Sequence, residues 1–176
     1  MQEAEVSLRV ALYYIQNRLT NRDVTVSIDG AHIKTSEMIH FDIWSFLNDN
    51  RCTKTEGNPD RWQGRYQVSG CPERIIISSK PGIGDVNVWL LDGKKLYVES
   101  KKGKENKSGQ EYPLMREAIG QLMTVPVLTD DVIPAVAVPY SKKSVELAGR
   151  WSEYPQMQHV GIKFLLVKDD GDIVTI

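Results

Sequence analysis

Between residues 3 and 19, Leu8, Leu12, Ile15 and Leu19 recur at helical spacing, flanked by Val6, Val10 and Tyr13, which predicts an amphipathic helix packed on a sheet. Glu5 stands three residues before Leu8 and seven before Leu12, so it prolongs the buried stripe, and a carboxylate placed there needs a partner. Residues 36–48 carry Met38, Ile39, Phe41, Ile43, Trp44, Phe46 and Leu47 and read as a second, short helix. Residues 50–70 are polar and broken by Gly57, Pro59, Gly64 and Gly70, as in a long loop or an edge hairpin. From Glu73 the pattern changes to strands over 74–78, 86–91 and 96–101, separated by Pro81-Gly82 and Asp92-Gly93, and reads as a three-strand meander. A helix over 113–124, a buried strand over 133–138, a helix over 142–151 and a strand over 162–167 complete the series. This order predicts one α/β domain over residues 1–176, with a central mixed β-sheet flanked by helices on both faces.

Alternation within the second and third strands fixes their faces. With Asp92-Gly93-Lys94 as a three-residue loop, Leu91 pairs with Lys95, and Val86, Val88, Leu90, Leu96, Val98 and Ser100 fall on one nearly apolar face. Asp85, Glu99 and Lys101 then share the other. A two-residue loop would separate Asp85 from Glu99 and mix the apolar faces.

The composition adds boundaries to this picture. The chain has 176 residues, 41% of them hydrophobic, and a formal charge of −1, so it can bury a core and is not a uniformly basic nucleic-acid coat. Charge is uneven: residues 1–50 carry −3, residues 51–116 carry +5 and residues 117–176 carry −3. Any polyanion would therefore meet the middle of the chain. Cys52 and Cys71 lie outside any zinc or redox spacing, which predicts a reducing, cytoplasmic setting. The first residues are polar and acidic, unlike a signal or transit peptide, and the apolar run over 132–139 is too short to cross a bilayer. Asn106-Lys107-Ser108 reads as a polar loop. His32, His40 and His159 are too scattered for a zinc site, and no G-x-S-x-G elbow is present.

Two carboxylates and a lysine at the end of a hairpin suit a hard divalent cation and phosphodiester hydrolysis. A bare Glu-x-Lys is common, and Glu105-Asn106-Lys107 repeats it in a loop with no strand beneath, so the strand-borne Glu99-Ser100-Lys101 is the one retained. Pro81-Gly82-Ile83-Gly84-Asp85, an apolar strand, a hairpin and Val98-Glu99-Ser100-Lys101 resemble the PD-(D/E)xK nuclease superfamily, which has a restriction-endonuclease-like fold. Arg116-Glu117-Ala118-Ile119-Gly120-Gln121-Leu122 is similar to the Ala-x-x-Gln-Leu helix that follows the metal-binding hairpin in many of these nucleases. One departure is that Gly84 stands where the motif has proline. The resemblance implies that Asp85, Glu99 and the Ser100 carbonyl ligate Mg²⁺, with Mn²⁺ substituting, and that Lys101 acts on the attacking water or the developing charge. It also implies that Glu5 lies near the metal and Gln121 beside the site.

Lysines outnumber acids by +4 across residues 94–107, which nominates Lys102, Lys104 and Lys107 as phosphate contacts. Arg61, Trp62, Arg65 and Tyr66 could stack on bases or cap the sheet edge. The leading expectation is a Mg²⁺-dependent nuclease acting on DNA in preference to RNA, as a homodimer that reaches both strands. The alternative is a non-catalytic nucleic-acid-binding or protein-interaction module on the same fold.

Overall fold

A computed structural model describes residues 1–28, 32–35, 38–80, 82–103, 111–125 and 128–176, with 32–35 and 38–40 in backbone only. Eleven strands and five helices follow in the order α1 (Glu3–Gln16), β1 (Val24–Ser27), β2 (His32–Thr35), β3 (Met38–Asp42), α2 (Ile43–Asp49), β4 (Cys52–Glu56), β5 (Gly64–Val68), β6 (Arg74–Ser78), β7 (Val86–Trp89), β8 (Lys95–Ser100), α3 (Glu111–Met123), β9 (Val132–Pro139), α4 (Lys142–Ser152), α5 (Pro155–Val160), β10 (Lys163–Val167) and β11 (Ile173–Thr175) among the described residues. Nine strands form one mixed sheet in the order β11-β10-β9-β8-β7-β1-β6-β5-β4, and β2 and β3 form a separate pair.

The sheet has a core on each face. On one side α1 buries Val6, Leu8, Leu12 and Ile15 against Val86, Val88, Leu96 and Val98 of the β7–β8 hairpin. On the other, Met115, Ala118 and Leu122 of α3 and Leu147 and Trp151 of α4 cover Val136, Val138, Phe164 and Leu166. Strand β9 serves both, sending Ala135 and Ala137 to the first core and Val136 and Val138 to the second. It lies between two parallel neighbours, and burial on both faces is why it reads as an unbroken apolar run. The α/β class, the mixed sheet and helices on both faces are thus present.

Several expectations need correction. The three strands of the supposed meander are not consecutive neighbours: β1 lies between β6 and β7, parallel to the first and antiparallel to the second. Four residues of Val-Thr-Val-Ser carry too short a pattern to announce a central strand, and their pairing is non-local. Residues 38–42 are strand rather than helix, and α2 begins only at Ile43. Asp42 sets that start, because its carboxylate accepts from the N–H of Trp44 (2.8 Å) and Ser45 (3.2 Å) and so caps the first turn. Residues 50–70 form the edge hairpin β4–β5.

The β7–β8 hairpin keeps the predicted faces but not the predicted register. Val86 pairs with Val98 and Trp89 with Lys95, so Leu91 belongs to the turn. There it is 62% exposed, and Gly93 takes φ +85°. The displacement is two residues, an even number, so each side chain stays on its expected face.

Candidate active site

Asp85 precedes β7 and is held from both sides by backbone. Its N–H donates to Val98 O at 2.7 Å, and its C=O accepts from Ser27 N–H of β1 at 2.7 Å. The bond to Val98 is one residue out of step with the Val86–Val98 pair, an offset that re-aims a side chain at a strand end. Gly84 makes this approach possible. It has φ +67°, and a Cβ there would lie 2.8 Å from Val98 O. Proline, with φ fixed near −65°, cannot adopt this conformation, which accounts physically for the departure from the motif. Pro81 lies outside the described residues.

The turn delivers the Asp85 carboxylate to the end of β8, where its Oδ2 accepts from Ser100 N–H at 2.7 Å. A residue's N–H and C=O point to the same edge of its strand, so the Ser100 carbonyl shares that edge. Glu99 and Lys101 follow on the same strand end. Lys101 is 4% exposed, and its Nζ lies 3.4 Å from Glu99 Oε1, 3.4 Å from Glu117 Oε1 on α3 and 3.9 Å from Glu3 Oε2 on α1. Three elements thus supply carboxylates to one buried ammonium.

The electrostatics follow from crowding. Burial pushes the Asp85 carboxyl up to about 7, Glu99 adds to the rise, and the Ser100 N–H and Lys101 oppose it. Burial also raises Glu99 above the usual carboxylate range, against the pull of Lys101. Burial disfavours the Lys101 ammonium, but Glu3, Glu99, Glu117 and Asp85 together outweigh it and hold its pKa above the ordinary lysine value. Acids outnumber bases here, and the arrangement favours added positive charge.

Asp85, Glu99, Lys102 and Gln121 line one cleft of about 630 Å³, together with Glu3 and Lys80. Lys101 is buried beside it. Glu5 is not among the groups around Lys101: its carboxylate pairs with Arg9 one turn along α1, at 3.0 Å. Glu3 instead reaches the site. Lys104 and Lys107 lie outside the described residues. Tyr66, on β5 between β4 and β6, is buried in the core and donates from its hydroxyl to Trp62 O at 2.7 Å, so its ring serves the core rather than a base stack.

Sequence reading missed Glu3, Glu117, Lys80 and Ser27. Arg9, four residues after Glu5, was the available signal that Glu5 is already partnered. Glu117, beside the buried Ala118 and four before Gln121, lay inside the recognised helix pattern. Ser27 could not be found without β1.

Among the described residues no group of three or more His, Cys, Asp or Glu side chains forms a cation cage. Two carboxylates and a strand carbonyl nevertheless suit magnesium, which keeps several waters and commonly takes only one or two protein carboxylates. Among the described residues no helix is long and apolar enough to cross a membrane. Comparison with protein-family models, with curated proteins and with solved structures finds no match for the chain.

Proposed function

We propose that the chain is a Mg²⁺-dependent nuclease of the PD-(D/E)xK kind, with a restriction-endonuclease-like fold, that hydrolyses phosphodiester bonds in DNA. One observation carries the reading: Asp85 and Glu99 line one cleft at the end of β8, and the Lys101 ammonium is buried beside it, 3.4 Å from the Glu99 carboxylate. Burial and Glu99 hold Asp85 above its usual carboxylate range, burial with Glu3 and Glu117 does the same for Glu99, and both have a physical need for a cation. They would hold Mg²⁺ with the Ser100 carbonyl, and the ion would polarise the phosphoryl oxygen and acidify water.

The side chains account for the rest. The Lys101 ammonium orients the attacking water and offers positive charge to the pentacovalent phosphorane as it forms. Gln121 stands at the cleft wall, where its amide can hydrogen-bond substrate. Lys102 and Lys80 line the same cleft and meet the phosphates on either side of the scissile bond, which positions a strand without reading its sequence. One such cleft addresses one strand, so two copies related by a twofold axis would cut a duplex. The free thiols Cys52 and Cys71 agree with a cytoplasmic setting.

The test is to incubate the purified protein with supercoiled, linear, single-stranded and branched DNA, and with RNA, in Mg²⁺ or Mn²⁺. Asp85→Asn, Glu99→Ala and Lys101→Ala run alongside. Cleavage by wild type that disappears in all three variants is the expected result, and the panel identifies the substrate. Metal-independent binding without cleavage would replace this reading with the non-catalytic binding module.

A further inference from the structure

We infer that Glu117 is a positioning residue that keeps the Lys101 ammonium in place while the other carboxylates are engaged elsewhere. The inference rests on the nuclease reading of the same site. Its basis is the division of labour around Lys101 Nζ. Glu99 lies 3.4 Å away, but on the nuclease reading its carboxylate turns to the cation, which competes with the lysine for the same oxygens. Glu3 is more distant, at 3.9 Å. Glu117 Oε1 matches Glu99 in distance at 3.4 Å and comes from a different element, α3, which packs against β8 and β9.

The local structure suits this role. Ala118 and Leu122 anchor α3 in the second core with 0% exposure, so the helix that carries Glu117 is fixed relative to β8. The Glu117 side chain is itself 57% exposed. It can therefore follow the ammonium without disturbing the core. A lysine has four rotatable bonds and a point charge, so an oriented ammonium needs an acceptor on the side away from its reacting partners. Without Glu117 the Lys101 head would follow Glu99 toward the cation or swing to Glu3, and either movement takes it from the water it orients.

The experiment compares wild type, Glu117→Gln and Glu117→Asp, each as the full chain, on the DNA that the substrate panel identifies. Cleavage is followed in Mg²⁺, and the Lys101 ammonium by its ¹⁵Nζ signal, assigned with Lys101→Ala. Removing a supporting partner of a site residue usually costs about 10–100-fold in activity. Glu117→Gln should therefore lower kcat by about tenfold or more with KM unchanged, and should shift or broaden the Lys101 signal. Glu117→Asp, which keeps the charge, should recover part of both. A Glu117→Gln protein with unchanged kcat, or with reduced kcat and an unmoved Lys101 signal, overturns the inference while leaving the nuclease reading intact. Wild-type protein that cuts nothing overturns the nuclease reading and this inference together.

Discussion

Alanine at position 84 would have to adopt φ +67° with its Cβ 2.8 Å from Val98 O and 3.4 Å from the carbon and nitrogen of the same residue. The left-handed backbone costs a non-glycine residue about 1–2 kcal/mol. Forcing a methyl against fixed strand backbone adds about 1–3 kcal/mol, so Gly84→Ala should lose about 2–5 kcal/mol. Gly70 supplies the internal control, because it has φ +75° but nothing within 4 Å of a built Cβ. Gly70→Ala should lose the first contribution only. The difference between the two variants isolates the collision with β8, and differences between mutants are firmer than absolute sums. Urea unfolding followed by circular dichroism reads both, provided the slope with denaturant stays constant. For a chain of this size each kcal/mol lowers Tm by about 2–4 °C. Gly84→Pro should be worse still, since its ring excludes a positive φ. Equal losses in Gly84→Ala and Gly70→Ala would refute the claim that close approach to Val98 places Asp85.

Further expectations follow from the same geometry. The Asp85 carboxyl, raised to about 7, keeps its proton in the folded state at pH values where the unfolded chain, near 4, has lost it. Stability should therefore fall as pH rises from about 4 to about 7 and level off above. Asp85→Asn lacks this fall, so its advantage over wild type should grow by on the order of 2 kcal/mol between pH 5 and 8; a pH-independent difference counts against the assignment. Millimolar Mg²⁺ at pH 8 should raise the Tm of wild type but not of Asp85→Asn, and equal shifts would place the cation elsewhere. Lys102→Ala and Lys80→Ala should each reduce the slope of log affinity against log salt by about 1 in DNA binding, whereas an unchanged slope removes that lysine from the phosphate path. Lys54 donates to Asn58 O at 2.6 Å and to Arg61 O, and lies over the Trp44 and Tyr66 rings. Lys54→Met should lose about 1–2 kcal/mol in urea unfolding and leave cleavage unchanged; full stability would show that these contacts do not hold the 57–63 loop.

What the sequence made legible was periodic and local. Helical spacing found α1, α3 and α4, short apolar runs found β6, β9 and β10, and alternation found β7 and β8 with the correct faces. The face assignment mattered most, because it put Asp85, Glu99 and Lys101 on one side before any contact was known. What stayed hidden depends on distant pairing or on competition. Strand β1 joins β6 to β7 through partners about fifty to sixty residues away, and nothing in Val-Thr-Val-Ser states that. Leu91 suggested a strand by its apolarity but sits exposed in the turn, where the conformation of Gly93 outweighs hydrophobic preference. Glu5 stands out in the sequence because it prolongs the stripe of α1. Yet Arg9 lies one turn further on and claims it, while Glu3 at the helix start reaches Lys101. The convergence of Glu3, Glu99 and Glu117 on one ammonium joins residues more than one hundred positions apart and becomes visible only once α1 and α3 are placed at the end of β8.

The most direct test of the nuclease reading is the rate of DNA cleavage by wild type and Asp85→Asn, purified side by side and assayed in Mg²⁺ with and without EDTA. Cleavage by wild type should stop with chelator and fall to background in the variant, while circular dichroism shows both folded. Cleavage that persists in Asp85→Asn or in EDTA, or a wild type that cuts no nucleic acid with either metal, would contradict it.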